Sequence, residues 1–324
     1  MRYIKLGKTD IEVSVVGLGT WAIGGWMWGG TDESESIKAI NTAIDMGVNL
    51  IDTAPAYGMG LSEEIVGKAI KGKRDKVVIA TKCGLVWDFE KGDLFFIYES
   101  GEKVYRFLGP KSVRYEIEKS LSRLGVDHID LYQTHWQDMT TPIEETMGTL
   151  MDLKKEGKIR SIGASNASLD QLKQYDKAGQ LDADQEEYNL IDNRVEHENL
   201  TWCKDNKVTM LAYGSLAKGL LTGRIAPDRE FIGDDLRKDD FRFRAGNIKK
   251  VNSVLKEELE PITDKYGLSV AQLSIATLVS QDGVVALCGA RNKRQAEENA
   301  KAGDSVIGES DRKKVRKVVE SLNL

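Results

Sequence analysis

The chain is poor in the residues that would mark a disulfide scaffold or a metalloprotein. Three cysteines in 324 residues, Cys83, Cys203 and Cys288, are too few and too scattered for a disulfide framework, so a reducing cytoplasmic setting is the simplest expectation. The three histidines, His128, His135 and His197, form no paired-ligand pattern, and no metal site is expected. No stretch is long and apolar enough to span a bilayer, and the opening MRYIKLGKTD lacks the apolar run of a secretory leader. Charge of one sign is also missing. With 46 Lys and Arg against 51 Asp and Glu, the net charge of -5 gives no support for a nucleic-acid or anionic-membrane partner. No Pro/Gly/Ser-rich linker divides the chain, so a single domain over residues 1–324 is expected. Nor does any GxGxxG follow a strand and open a helix, which disfavours a Rossmann dinucleotide site.

What is present is an alternation of strand and helix patterns in an ordinary globular composition, 41% apolar and 30% charged. Tyr3–Leu6 and Ile11–Val13 flank a turn and predict an N-terminal β-hairpin. A strand ending near Gly19 leads into the Gly/Trp-rich loop TWAIGGWMWGG, then into a helix whose Ile37, Ile40 and Ile44 share one face. Strands at 48–52, 77–82, 129–133, 159–163, 182–185, 208–212 and 284–288 follow, separated by helical stretches, with a terminal amphipathic helix near 310–321. Eight strands with helices between them predict an α/β fold, a (β/α)8 TIM barrel with long βα-loops and extra C-terminal helices. Two connections are long for a barrel, 84–110 and 218–246. Both follow strands, so both belong to the face where barrel enzymes build their sites, unless they are plain surface insertions.

Titratable residues gather at three predicted strand ends. The stretch GVNLIDTAPAY ends a strand on Asp52 and carries Tyr57 five positions later; VVIATK ends on Lys82, and IDLYQTH ends on His135. Singly, each has a bland reading: a turn cap, a half-buried aromatic, a solvated strand end, a satisfied core histidine. Together at one barrel mouth they match the needs of carbonyl reduction. An oxygen that turns negative as hydride reaches carbon requires a proton donor. Tyr57 can supply the proton, although an unperturbed phenol has a pKa of about 10. Lys82 would stabilise the phenolate, Asp52 would neutralise the ammonium, and His135, as a neutral imidazole, would orient the substrate oxygen.

Asp52, Tyr57, Lys82 and His135, in this order, resemble the catalytic tetrad of the aldo-keto reductases. The resemblance extends over essentially the whole chain, through GLGTWAIGG, IDTAPAYGMGLSEEIVGKAI, VVIATK, LYQTHW, GKIRSIGASN and GARNKRQAEEN. It looks closest to the bacterial general-stress and inositol-locus group, related to the potassium-channel beta subunits. The resemblance implies a nicotinamide stacked on Tyr213, its carboxamide held by Ser165, Asn166 and Gln185. For Ser165 and Asn166, a helix cap or turn is the alternative. Ser215, Leu216 and Gly219 would run beside the pyrophosphate, with Arg224 and Arg237 as further contacts from the long loop. Gly289, Arg291, Gln295, Glu298 and Asn299 are assigned to the adenosine half, where the backbone N–H groups of a helix N-terminus add to the positive charge. Arg291 is the candidate for the 2′-phosphate, which favours NADP(H) over NAD(H). Gly289 and Gln295 depart from the aldose-reductase-like pattern of Lys and Arg at those places.

Trp21, Trp26, Trp28, Trp87 and Trp136 suggest an apolar substrate wall, for an aromatic aldehyde or for a sugar packing its apolar face. The expected function is NADPH-dependent reduction of aldehydes or ketones to alcohols, reversible through the same residues. The alternative is an NADP(H)-sensing regulatory or partner-binding protein on the same barrel. Natural substrate, favoured direction and oligomeric state are left open, a homo-oligomer included.

Overall fold

The computed structural model describes residues 1–98 and 100–324, and it opens with the expected hairpin, β1 (Tyr3–Lys5) antiparallel to β2 (Glu12–Ser14). Gly7 turns this hairpin at a φ of +56°, and a side chain there would lie 2.3 Å from the Asp182 carbonyl oxygen. Only glycine combines that backbone angle with so close an approach to the base of the barrel.

The barrel begins with β3 (Val16–Gly19), α1 (Glu33–Asp45), β4 (Leu50–Asp52), α2 (Leu61–Ile70) and β5 (Val78–Cys83). Three short strands follow, β6 (Leu85–Val86), β7 (Asp93–Ile97) and β8 (Lys103–Arg106), before α3 (Pro110–Leu124). The alternation resumes with β9 (Ile129–Thr134), α4 (Ile143–Lys155), β10 (Ile159–Ser165), α5 (Leu169–Ala178), β11 (Ala183–Glu187), α6 (Asn199–Asn206) and β12 (Thr209–Tyr213). The long α7 (Ala245–Tyr266) and α8 (Val270–Val279) precede β13 (Val284–Gly289), after which come α9 (Lys293–Lys301) and α10 (Glu309–Glu320). Strands β3, β4, β5, β9, β10, β11, β12 and β13 pair in that order, all parallel, and β13 closes on β3. This is the predicted (β/α)8 barrel with its hairpin and C-terminal helices.

Side chains alternate along each strand, and the inward set changes character from base to mouth. Leu50, Val78, Ala80, Leu131, Ala183, Leu211, Val285 and Leu287 fill the interior, capped from below by Leu6, Ile11 and Val13 of the hairpin. Each buried leucine or valine of this set is worth roughly 1.5–3 kcal/mol over its exposed state. The next inward positions toward the carboxyl ends are polar: Asp52 above Leu50, Lys82 above Ala80, Gln133 above Leu131, Gln185 above Ala183. The outward set, including Ile51, Ile79, Ile162 and Met210, packs under the helices in a second core layer.

The long connection at 84–110 is not plain loop. Its three strands form an antiparallel sheet in the order β6-β8-β7, folded over a small core of Ala56, Leu85, Tyr98 and Val104. Tyr98 Oη donates to Ala56 O at 2.5 Å, so this sheet braces the loop that carries Tyr57. The second connection is irregular, with short 3-10 turns at Ala217–Thr222 and Phe241–Phe243. It is tied to the Gly/Trp loop: Met27 N and Gly29 N donate to the two oxygens of Asp234 at 2.6 and 3.0 Å, and Leu236 N donates to Met27 O at 3.1 Å.

Candidate active site

Strand register brings the tetrad together. Asp52 stands opposite Ala80 on β5, so Lys82, two residues on, points inward just above it; Lys82 in turn stands opposite Gln133, two residues before His135. Lys82 is fully buried, and its ammonium donates to Asp52 Oδ1 at 2.7 Å, Thr53 O at 3.0 Å and Tyr57 Oη at 3.1 Å. All three ammonium donors are thereby used, which holds the side chain in one direction. The Tyr57 ring lies edge-on to His135, centroids 5.7 Å apart, and stacks near Trp21 at 6.2 Å.

Gln133 and Gln185 are further partners of the carboxylate. Gln185 Nε2 donates to Asp52 Oδ2 at 2.8 Å and Gln133 Nε2 reaches the same oxygen at 3.3 Å. Gln133 was not among the predicted site residues. Its signal was present, an inward position in the alternation of LYQTH.

Burial pushes the Lys82 ammonium down, but Asp52 and then Tyr57 more than offset it, and its pKa stands above the ordinary lysine value. Burial pushes the Tyr57 phenol up; Lys82 pulls it back, Asp52 adds to the rise, and the net pKa stays above the ordinary value. The phenol therefore holds its proton, with a cation in place for the moment it leaves. Burial, and then Lys82, hold His135 well below its usual range, so the imidazole is neutral.

Ser165, Asn166, Gln185 and Tyr213 form a network beside the tetrad. Ser165 Oγ donates to Gln185 O at 2.8 Å, and Tyr213 Oη donates to Asn166 Oδ1 at 2.8 Å. Asn166 Nδ2 donates to His135 O at 2.9 Å and to Ser165 Oγ at 3.1 Å. Asn166 occupies the left-handed region at a φ of +54°, which asparagine tolerates better than most residues. The helix cap is Ser168 instead, whose side chain closes a capping box with Gln171 at the start of α5.

A groove of about 330 Å³ runs from Asp52, Tyr57 and Trp21 past Tyr213, Ser215, Leu216 and Gly219. It ends among Arg224, Arg237, Gly289, Arg291, Gln295, Glu298 and Asn299, and is also lined by Thr20, Glu187, Lys218, Arg229 and Arg294. Ser215 is held by its hydroxyl to Ala212 O at 2.7 Å. Gln295 Oε1 accepts from Arg291 N at 2.8 Å, and Asn299 Nδ2 donates to Gly289 O at 3.0 Å. Glu298 is neutralised by Arg224 at 2.9 Å and accepts from Ser269 Oγ at 2.7 Å. Arg237 is engaged within its own loop, bonded to both oxygens of Asp235 at 2.9 and 2.6 Å and set over the rings of Trp28 and Phe231. Arg291 donates to Trp28 O at 3.0 Å and Gly30 O at 2.5 Å. An aromatic platform at one end and a cluster of cations at the other fit a dinucleotide. At Gly289 the nearest atom to an added Cβ would be 3.9 Å away, which leaves room for a ligand at the wall.

Of the five tryptophans expected to wall a substrate pocket, Trp21 and Trp28 line the groove, in a T-shaped pair 5.7 Å apart. Trp26, Trp87 and Trp136 pack instead on the small core beneath the β6-β8-β7 sheet. There Trp26 stacks on Phe96 at 4.8 Å and Trp136 leans on Phe95 at 5.1 Å.

The model of the Aldo/keto reductase family matches residues 15–320. The chain belongs to that family. It is 43% identical over 324 residues to the aldo-keto reductase YhdN of Bacillus subtilis, covering 99% of this chain and 94% of that one. It is 41% identical over 330 residues to an NADH-specific methylglyoxal reductase of Escherichia coli, covering 99% of both. A solved glycerol dehydrogenase from Gluconobacter oxydans superposes with a TM-score of 0.86 at 39% identity, covering 99% of this chain and 94% of that one. Family membership makes the protein an oxidoreductase of small carbonyl and alcohol compounds that uses a nicotinamide cofactor. Among the described residues no helix is long and apolar enough to cross a membrane, and no cluster of His, Cys, Asp and Glu is suited to a metal.

Proposed function

We propose that the protein reduces small aldehydes and ketones to alcohols with NADPH, with Tyr57 as proton donor. The observation that carries this reading is the Lys82 ammonium bonded at once to Asp52 and Tyr57, beside a neutral His135. The cofactor, when bound, supplies the hydride. Tyr57 holds a proton at Oη and gives it to the substrate oxygen as negative charge builds there. Lys82 stabilises the phenolate left behind, and Asp52, steadied by Gln185 and Gln133, keeps that ammonium in place. His135 directs the substrate oxygen toward Tyr57. A phenol that holds its proton suits the reductive direction; the same residues run the reverse reaction when the phenol is ionised.

Ser165, Asn166, Gln185 and Tyr213 form the nicotinamide subsite in this reading. Ser215, Leu216 and Gly219, with Arg224 and Arg237, flank the pyrophosphate. Gly289, Arg291, Gln295, Glu298 and Asn299 take the adenosine, and Arg291 takes the 2′-phosphate. Trp21 and Trp28 wall the substrate side. We place the chain with the bacterial stress-type reductases, as a single domain working in the cytoplasm. The three cysteines are free and buried, which suits a reducing compartment. Methylglyoxal and glycerol, named in two relatives, point to a short, oxygen-rich substrate.

The test is initial rates with NADPH and with NADH across methylglyoxal, aromatic aldehydes and open-chain sugars. NADPH-dependent reduction is the expected outcome. Tight NADPH binding without turnover on any of them, in either direction, would replace this reading with a cofactor-sensing one.

A further inference from the structure

Behind the nicotinamide subsite, on the outward face of β11, the acids Asp184 and Glu186 flank the inward Gln185. Asp184 is fully buried. Its Oδ2 accepts from Asn199 Nδ2 at 3.1 Å, while its Oδ1 has no hydrogen-bond partner among the described residues. Glu186 Oε1 accepts from Ala167 N at 2.8 Å. On the other side of the same residue, Ala167 O accepts from Asn199 Nδ2 at 3.0 Å. Ala167 is thus held at both its N–H and its C=O by one ring of side chains. It directly follows Asn166, whose amide joins His135 O to Tyr213 Oη.

An unpartnered oxygen on a fully buried carboxyl, with a second carboxyl two residues along the same strand face, lacks only a proton between them. We propose that Asp184 and Glu186 share one proton and, with Asn199, form a clamp that fixes the Asn166–Ala167 turn and thereby positions Tyr213 and His135 around the nicotinamide. The proposal rests on the cofactor reading above, and these are positioning residues that touch neither cofactor nor substrate. A protonated Glu186 donates to Asp184 Oδ1 and still accepts from Ala167 N–H through its other oxygen.

The surroundings favour the shared proton. Burial pushes both carboxyls up, and neither is paired with a lysine or arginine among the described residues. Cys203 faces Asp184 from α6 at 3.7 Å with its thiol also pushed up by burial, Asn199 faces it from the same helix, and Tyr213 on β12 is a half-buried neutral phenol. The turn between β10 and α5 offers the backbone N–H of Ala167, while that of Asn166 donates to Gln185 O at 3.1 Å. With both pKa values raised, the clamp is intact at neutral pH and fails as rising pH strips the proton and leaves two facing carboxylates with no cation between them.

The experiment follows NADPH binding by fluorescence from pH 6 to pH 10, for the wild type, Glu186→Gln and Asp184→Asn. Infrared spectra of the protein without cofactor are taken at neutral pH. A glutamine keeps the acceptor for Ala167 and replaces the shared proton with a permanent N–H donor; Asp184→Asn supplies the donor from the other side. Wild-type affinity should weaken about tenfold toward pH 10, the scale of losing one buried hydrogen-bonded contact, and each variant should bind almost evenly across the range. The difference spectrum, wild type minus Glu186→Gln, should show a carboxylic-acid C=O band at neutral pH. A variant with the wild-type alkaline loss, or a difference spectrum without the acid band, overturns the clamp. If the wild type binds no NADPH at any pH, the cofactor reading falls and takes the positioning role with it, while the infrared band still reports the proton by itself.

Discussion

Lys82 Nζ lies 3.1 Å from Tyr57 Oη, and it reaches there from a position already bonded to Asp52. The cation does not hold the phenol in an ionised state, because burial keeps the Tyr57 pKa above its ordinary value. In the proposed mechanism it lowers the cost of the phenolate at the instant of transfer. Tyr57→Phe removes the proton and little else, since the ring keeps its places against Trp21 and His135. Turnover of the variant should fall by about 10²–10⁴-fold, the usual worth of a positioned general acid. Its NADPH dissociation constant, measured by fluorescence titration, should stay within about twofold of the wild type. Near-normal turnover would remove Tyr57 from the role of acid.

The ion pair between Lys82 and Asp52 has a structural consequence as well. Lys82→Met leaves Asp52 charged, buried and without its cation, a situation that typically costs about 3–5 kcal/mol. The double variant Asp52→Asn/Lys82→Met removes both charges and keeps an amide that bonds to Gln133 or Gln185. Denaturant melts should show a large loss in the single variant and recovery of much of it in the double, with both inactive. Equal losses in the two would mean that the unpaired charge is not what destabilises the barrel.

Much of this site was readable because the barrel imposes period two on its strands. Leu50 below Asp52, Ala80 below Lys82 and Leu131 below Gln133 are one rule applied three times, apolar at the base and polar at the mouth. The β6-β8-β7 sheet was less legible. Phe95 and Phe96 are adjacent, and a bulge between Leu94 and Phe96 breaks the alternation that announces a strand. For the same reason Trp26, Trp87 and Trp136 read equally well as pocket wall or core, and their partners lie in a sheet that the sequence does not display. The state of Arg237 depends on Asp235, two residues away, and a loop has no periodicity to reveal such a pairing.

Arg291 offers its guanidinium to Trp28 O and Gly30 O, which are uncharged acceptors. A 2′-phosphate is a stronger partner, with more acceptor oxygens and full negative charge. Arg291→Ala should therefore raise the NADPH dissociation constant by about 10- to 100-fold, the range of a charge-assisted bidentate contact. For NADH, which has only a hydroxyl at that place, the change should stay within about twofold. Equal losses for the two cofactors would take the 2′-phosphate away from Arg291.

Glu116 offers a prediction about stability that is independent of catalysis. It is buried on α3, where its Oε2 accepts from Gly84 N at 2.8 Å and its Oε1 from Ser112 Oγ at 2.9 Å, so it anchors the start of the β6-β8-β7 excursion. Burial pushes its pKa up to about 8, against the partial relief of those two bonds. In the unfolded chain the same group titrates at about 4.3. Between those values the folded protein holds a proton that the unfolded chain has lost, so stability falls as pH rises through the window. Its contribution is fully present below about 4.3 and is gone once the pH has passed the folded value. Glu116→Gln keeps an acceptor for Gly84 N and has no proton to lose. Thermal melts of both proteins at pH 5 and pH 9 should show the difference in Tm moving in favour of the variant at the higher pH. Taking a difference cancels the groups that the two proteins share, so a Tm difference that does not change with pH would mean that Glu116 is ionised in the folded barrel.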